Sequence, residues 1–205
     1  MTREELIQEA EEKGWFFIST HQKLSEDFIR DFQDKVDWLR ISKYQKLSEE
    51  FIREFQDKVG WPWISIHQKL SEEFIREFNL EIPKDSWLYK SENFKKKEVR
   101  KTKLYKIYKD YFIAFKGIRS DWFSNFNFQY KYEIGKVFES HADFSNYENS
   151  FGLSAWTLKE ARDYCDEKII KVKIFYKDVA HVVHEGGKIR CTKFEVLEEV
   201  ENDKE

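Results

Sequence analysis

Cysteine, proline and glycine are scarce in this chain, and each scarcity excludes a class of protein. Two cysteines in 205 residues, Cys165 and Cys191, are too few for a disulfide framework or a zinc ribbon. With 2 prolines and 7 glycines, long disordered linkers are not expected. No apolar run approaches the length of a membrane span, so no membrane partner is expected. The chain begins with a helix start rather than a signal peptide, which predicts a soluble, intracellular protein.

Charged and aromatic residues are plentiful instead. Aromatic residues make up 18% of the chain, which is ample material for a core even though charged residues make up 37%. The net charge of −3 gives no global attraction to nucleic acid or membranes. The charge is unevenly spread, because 1–86 carries 13 basic and 19 acidic residues, whereas 87–110 carries 9 and 3.

One segment occurs in three nearly identical copies near the start of the chain. It occupies 15–32, 38–55 and 61–78, with a period of 23 residues, which is typical of stacked supersecondary units. Only four positions change between the second and third copies: 39/62, 40/63, 43/66 and 44/67. The equivalent four change between the first and second copies, together with two Asp/Glu exchanges. A fixed scaffold around one variable surface indicates a binding surface.

Each repeat is predicted to form two short helices. In the second helix, apolar residues such as Phe51 and Phe55 recur every four residues, and Ser48 precedes them as an N-cap. Residues 3–14 resemble a degraded half-repeat that begins with a capping box at Thr2. Such an atypical terminal unit is expected at the end of a solenoid.

The first helix of each repeat, about Trp38–Tyr44 in the second copy, is predicted to point its variable residues outward. On a wheel of about 100° per residue, the repeated Trp38 and Ile41 share one face and most variable positions lie opposite. Position 16/39/62 falls on the flank. The predicted partner-binding set is Phe17, Thr20, His21, Arg40, Lys43, Tyr44, Trp63, Ile66 and His67.

Recent duplication alone is the alternative explanation for near-identical repeats. Drift, however, would scatter changes over the polar Gln, Lys and Arg positions as well, and those positions stay fixed. Exposed aromatic residues beside arginine also match the residue types enriched at interface hot spots.

A basic segment, 87–110, follows the repeats. Its lysines interleave with aromatic residues, a composition that nucleic-acid binders use. The alternative, which the sequence favours, is a solvated connector helix that pairs with the acidic repeats. The nucleic-acid hypothesis rests on Lys95, Lys96, Lys97, Arg100, Lys101 and Lys103.

Residues 111–205 are predicted to form a small, mostly antiparallel domain with an acidic tail. The predicted elements are a strand at 111–115 entering a turn at 116–117, a helix capped by Thr157, a strand at 169–176 and a final strand at 188–200. The predicted fold class is therefore α+β, with solenoid-like helical repeats in 1–86, a connector at 87–110 and this domain.

An ordered set of motifs in this domain carries a resemblance. The motifs are Phe115–Gly117, Tyr130–Lys136, Glu148–Trp156, Ile169–Ile174 and Gly187–Cys191. They resemble a domain of bacteriophage and prophage proteins that typically carries Tyr-Lys-Gly-Phe, Tyr-Glu-Ile-Gly-Lys and Gly-Phe-His. Repeats similar to Gln-Lys-Leu-Ser-Glu-Glu-Phe-Ile-Arg-Glu-Phe precede that domain in some such proteins. Here Gly152 is followed by Leu-Ser instead of Phe-His. No activity is established for that family, so the resemblance implies a mobile-element protein in the cytoplasm of a bacterial host.

No recognised catalytic or metal pattern is present in the sequence. His181 and His184 face opposite sides of a predicted strand and cannot easily chelate one metal. No Gly-rich phosphate loop exists, and we predict no catalytic residue, no metal and no cofactor. One enzymatic alternative stays open, because the order of the motifs loosely resembles ADP-ribosyltransferase-like folds. Its trio of residues would be Arg119, Ser154 and Glu195.

Together these observations predict a non-enzymatic binding protein. The hypothesis is that it binds a larger host protein or ribonucleoprotein complex and blocks it, as an anti-defence, anti-CRISPR-like inhibitor would. The alternatives are an ADP-ribosyltransferase-like enzyme and a nucleic-acid-binding protein that uses the basic segment. The sequence does not set the oligomeric state.

Overall fold

The protein divides into a helical unit and a sheet unit, so its fold class is α+β, as predicted. The computed structural model describes 1–82, 86–125, 130–165 and 167–200. The two compact units are Met1–Leu88 and Tyr89–Glu205. Most of the basic segment 87–110 therefore lies in the second unit.

Short helices in the repeats begin where the sequence places their caps. The hydroxyl of Ser48 accepts the N–H of Phe51 at 3.1 Å, and the predicted capping box at Thr2 is present. The first helix of the second repeat spans Trp38–Tyr44, which confirms its predicted bounds. No described helix combines the length and apolar character needed to cross a membrane. The helices of this unit are α1 (Arg3–Lys13), α2 (Trp15–His21), α3 (Glu26–Asp31), α4 (Trp38–Tyr44), α5 (Glu49–Glu54), α6 (Trp61–His67) and α7 (Glu72–Glu77).

Aromatic residues form the core of each repeat. The Trp38 ring lies 4.9 Å from that of Phe55 and 6.2 Å from that of Phe51, and the other repeats reproduce this arrangement. Helices α2 and α4 pack together, as do α4 and α6. A single cluster of buried residues consequently runs through all three repeats.

Buried glutamines link each repeat to the one before it. The Oε1 atom of Gln45 accepts the N–H of Leu24 at 3.0 Å. Its Nε2 donates to the carbonyls of Ser19 and Gln22 at 2.9 and 2.8 Å. Gln68 makes the same three bonds to the second repeat. Since a 23-residue shift reproduces every partner, the period in the sequence is also the period of these contacts.

Eight strands form the sheet of the second unit within the described residues, in the order β3-β8-β5-β2-β4-β7-β6, with β1 paired to β2. Each described pairing is antiparallel. The strands are β1 (Lys106–Ile107), β2 (Tyr111–Ile118), β3 (Val137–Glu139), β4 (Leu153–Trp156), β5 (Lys168–Phe175), β6 (Val179–Val183), β7 (Lys188–Cys191) and β8 (Lys193–Val200). The helices are α8 (Glu92–Thr102) and α9 (Leu158–Tyr164), with 3-10 turns at Tyr176–Asp178 and His184–Gly186. Another 3-10 turn, Trp87–Tyr89, precedes α8.

Two details of this sheet differ from the prediction. The turn predicted at 116–117 is absent, because β2 continues to Ile118. Gly117 lies inside the strand, where a Cβ atom would come within 2.6 Å of the Ala161 carbonyl oxygen, so the glycine permits α9 to pack closely. The single strand predicted at 188–200 is two strands, which separate at Thr192 and lie in different halves of the sheet.

Candidate partner-binding surface

The variable positions of the repeats lie on α2, α4 and α6, which pack in that order. We call this surface the variable stripe. It consists of Phe16, Phe17, Thr20, His21, Leu39, Arg40, Lys43, Tyr44, Pro62, Trp63, Ile66 and His67.

Cations of the second repeat bridge aromatic rings of the first and third. The Arg40 guanidinium lies 4.5 Å from the centroid of Phe16 and 5.9 Å from that of Tyr44. The Lys43 ammonium lies 5.2 Å from Tyr44 and 4.8 Å from Trp63. Such contacts are each worth about 0.5–1 kcal/mol at exposed sites. The stripe is therefore one connected surface rather than three separate patches.

Further ring contacts extend the stripe at both ends. Lys13 from α1 lies 5.0 Å from the Phe17 ring, which in turn lies 4.6 Å from His21. In the third repeat, Trp63 and His67 stack with centroids 5.8 Å apart. The contacts join every first helix of the repeats to at least one neighbour.

Of the nine residues predicted to face outward, one is exposed, seven are half-buried and one is buried. Two positions depart most from the predicted exposure. His67, expected to face outward, is only 3% exposed and packs against Trp63. The flank position is more exposed than predicted, since Phe16 and Leu39 are 52% and 59% exposed. A helical wheel does not determine how far neighbouring elements cover a flank. The variability of position 16/39/62 was the signal in the sequence that could have placed it on the surface.

Charge is segregated between the two kinds of helix in the repeats. Helices α2, α4 and α6 contain no acidic residue, whereas α3, α5 and α7 each contain three. Several of those carboxylates are bonded between repeats, as in the ion pair of Arg30 with Glu54 at 2.8 Å. Hydrogen bonds from Arg30 lower the pKa of Glu54. The variable stripe is thus basic on a unit that is acidic in total.

Helix α8 and its C-terminal end carry the residues that are predicted to bind nucleic acid. One of them, Lys95, is buried and therefore not available to a ligand. Lys95 is 5% exposed, and its Nζ donates to the carbonyl of Lys177 at 3.2 Å. This lysine binds α8 to the domain because it lies on the inward face of the helix. The other members stay accessible on α8 or at its C-terminal end: Lys96, Lys97, Arg100, Lys101 and Lys103.

The trio of the enzymatic alternative is not brought together. Arg119 directly follows β2, and Ser154 lies on the neighbouring strand β4. Glu195 lies on β8, two strands from β2, and forms an ion pair with Lys173 at 2.9 Å. Since Lys173 is paired with Ile113, Glu195 is about 20 Å from Arg119 along the strands.

Two reactive side chains of the sheet unit, Lys116 and Cys191, are buried in the fold. Burial lowers the pKa of Lys116 to about 8, and its Nζ donates to the Ser154 carbonyl at 3.0 Å. Burial raises the pKa of Cys191 to about 12, so its thiol stays protonated at neutral pH. Among the described residues, no group of three or more His, Cys, Asp or Glu residues could hold a metal ion.

Comparison with known proteins gives no relative for the chain. No protein-family model, no curated protein and no solved structure matches it significantly.

Proposed function

We propose that this protein is a non-enzymatic binding protein whose variable stripe contacts a larger protein or nucleoprotein complex of a bacterial host. In this proposal the helical repeats form a solenoid-like array, and bound protein blocks the partner's activity. The observation that carries the proposal is the series of cation–ring contacts that connects the variable stripe, while the rest of each repeat stays constant.

The chemistry of the stripe favours protein recognition. Trp, Tyr and Arg are the residues that most often supply binding energy at interfaces, and all three occur in the stripe. Packed helices lie about 8–10 Å apart, so three of them present a surface about 20–30 Å across. This width suits an interface that buries about 800 Å² on each partner.

The phage-type resemblance supplies the biological setting of the proposal. A mobile-element protein with a recognition surface and no assembled catalytic trio suits an inhibitor of a host defence complex, such as a CRISPR effector. The separation of Glu195 from Arg119 also disfavours the ADP-ribosyltransferase-like alternative.

The test compares a stripe variant with a matched control. Arg40→Glu/Trp63→Ala alters two residues of the stripe, one on α4 and one on α6. Lys46→Glu/Gln56→Ala makes the same charge change at exposed residues outside it. Each protein is used as bait in nuclease-treated bacterial lysate, and the recovered partner is then purified and titrated by calorimetry.

We expect the stripe variant to bind the purified partner about 100-fold more weakly, because two hot-spot residues together contribute about 3 kcal/mol. The control variant should bind like the wild type. Equal binding by both variants, with unchanged circular dichroism, would show that the stripe does not recognise the partner.

A further inference from the structure

A second cluster of rings and lysines lies in the sheet unit, on the turn between β1 and β2 and at the end of β5. Tyr108 and Tyr111 stack with centroids 4.6 Å apart and planes 15° apart. Phe175 meets Tyr111 edge-on at 6.1 Å. Lys106 lies 5.7 Å from the Tyr108 ring, and Lys173 lies 5.2 Å from the Tyr111 ring. These residues come from separate elements, so only the folded domain assembles them.

Hydrogen bonds hold this turn in place. The N–H of Tyr108 donates to the Tyr111 carbonyl at 2.8 Å and closes the turn. The hydroxyl of the buried Tyr176 donates to the Tyr108 carbonyl at 3.0 Å. The rings are consequently presented by a fixed backbone, which reduces the entropy lost when a ligand binds.

The basic face of α8 borders the same turn. The Nζ of Lys96 donates to the carbonyl of Lys109 at the tip of the turn. A shallow, open depression beside it is lined by Asn93, Lys96, Lys97, Arg100 and Lys101. A band of basic residues therefore extends from α8 to the turn that carries Tyr108, where the exposed Asp110 interrupts it.

Most lysines of this band have no carboxylate partner in the described structure. Lys97, Lys106, Lys109 and Lys177 form none of the described salt bridges, although all are exposed. On the neighbouring strands β5 and β8 lysines and glutamates pair across the sheet, as in Lys171 with Glu198 at 2.8 Å. Lys106 and Lys177 lie beside the rings of Tyr108 and Phe175 and form no described pair of this kind, whereas Lys173 is paired with Glu195 at 2.9 Å. The lysines outside these pairs leave a positive charge that an anionic ligand would neutralise.

We propose that this basic–aromatic surface binds single-stranded nucleic acid, with phosphates along the lysines and bases on the rings. It comprises Lys96, Lys97, Arg100, Lys106, Tyr108, Lys109, Tyr111, Lys173, Phe175 and Lys177. A single strand fits better than a duplex, because only unstacked bases can lie on aromatic rings. The proposal is independent of the variable stripe, which lies in the other unit.

Fluorescence anisotropy of the full chain provides the test. The probes are a labelled uridine oligomer of about 15 nucleotides, a DNA duplex of equal length, and, by co-sedimentation, phosphatidylserine vesicles. The charge variant is Lys106→Glu/Lys109→Glu, and its matched control is Lys136→Glu/Lys159→Glu at exposed positions elsewhere in the same unit. Tyr108→Ala removes a ring, while Tyr108→Phe keeps it.

We expect the charge variant to bind the oligomer at least about tenfold more weakly, and to reduce the slope of log affinity against log salt by about 1.4. Tyr108→Ala should weaken binding by about fivefold or more, whereas Tyr108→Phe and the lysine control should stay within about twofold of the wild type. An equal loss in the lysine control would overturn the proposal, as would tighter binding of the duplex or vesicles. An unaffected charge variant would overturn it even if Tyr108→Ala proved unfolded.

Discussion

At the scale of single residues, buried amides explain part of the constancy of the repeats. A buried polar group is costly unless it is hydrogen-bonded, and Gln45 is fully bonded to backbone groups of the preceding repeat. Its constancy therefore has a structural cause and does not by itself indicate selection on the stripe. Lys46 and Lys69 are exposed and equally constant, and nothing in the structure explains them.

Replacing this amide should destabilise the repeats strongly. Gln45→Leu leaves one N–H and two carbonyls of the first repeat without a partner, so the free energy of unfolding should fall by about 3 kcal/mol. The matched control is Gln56→Leu at an exposed position, which should change it by less than about 0.5 kcal/mol. Urea-induced unfolding measures both, and similar losses in the two variants would contradict this account.

A second residue-scale prediction concerns pH. Burial depresses the pKa of Lys116 from 10.5 to about 8. The free energy of unfolding is therefore lowered at every pH at which the buried amine is charged. The full penalty, about 3 kcal/mol, is present below pH 8 and disappears as the pH rises toward 10.5, because the unfolded state then binds more protons than the folded state.

Replacing the charged amine should therefore stabilise the protein at neutral pH. Lys116→Met loses a hydrogen bond worth about 1 kcal/mol, so at pH 7 its unfolding free energy should exceed that of the wild type by about 2 kcal/mol. The difference should shrink as the pH rises from 8 toward 10.5. Urea titrations at several pH values test this, with exposed Lys136→Met as a control. A pH-independent difference would contradict the assignment.

At the scale of elements, each repeat is too small to be stable alone. Its helices have six or seven residues, shorter than an isolated helix needs in water. Stability must therefore come from the Trp and Phe rings within each repeat and from the glutamines and ion pairs between repeats. Arg53 and Glu77 repeat the ion pair of Arg30 and Glu54 one period later.

Because the glutamine hydrogen bonds and the Arg–Glu ion pairs between repeats recur after 23 residues, removing one whole period should preserve the fold. Deleting 38–60 joins Asp37 to Trp61 and places Gln68 where Gln45 was, so the same bonds can form with the first repeat. The matched control deletes 38–58, two residues fewer, and shifts the partners out of register. Circular dichroism and denaturant unfolding should show cooperative unfolding of the helices for the first deletion, and lost helix for the second. The same result for both would mean that the period is not structural.

Element boundaries were predictable wherever local chemistry sets them. The serine caps and the capping box at Thr2 depend on neighbours within three residues, and the structure reproduces them. The error at 116–117 arose because a glycine suits both a turn and a close approach, and only the position of α9 distinguishes the two. The break at Thr192 did have a signal in the sequence, because the apolar alternation changes phase there, from Ile189 and Cys191 to Phe194 and Val196.

At the scale of the whole molecule, two units divide the charge and the exposed aromatic residues between them. The first unit is acidic in total but has a basic variable stripe, since its first helices lack acidic residues. The second unit carries the basic segment, where Lys106 lies against the Tyr108 ring, and Lys173 of β5 lies against the neighbouring Tyr111 ring. Each surface has its own test above, and neither result depends on the other.

The sequence by itself determined the period, the helix caps, the α+β class and the positions that vary. These follow from contacts between near neighbours in the chain, or from a repeat that is directly visible in the sequence. Only the tertiary structure decided that His67 and Lys95 are buried, that Phe16 and Leu39 are exposed, and that Glu195 lies far from Arg119. It also brought Phe175 beside Tyr111, which lies 64 positions earlier in the chain. Burial and proximity of this kind depend on which distant elements pack together, and no local pattern specifies that.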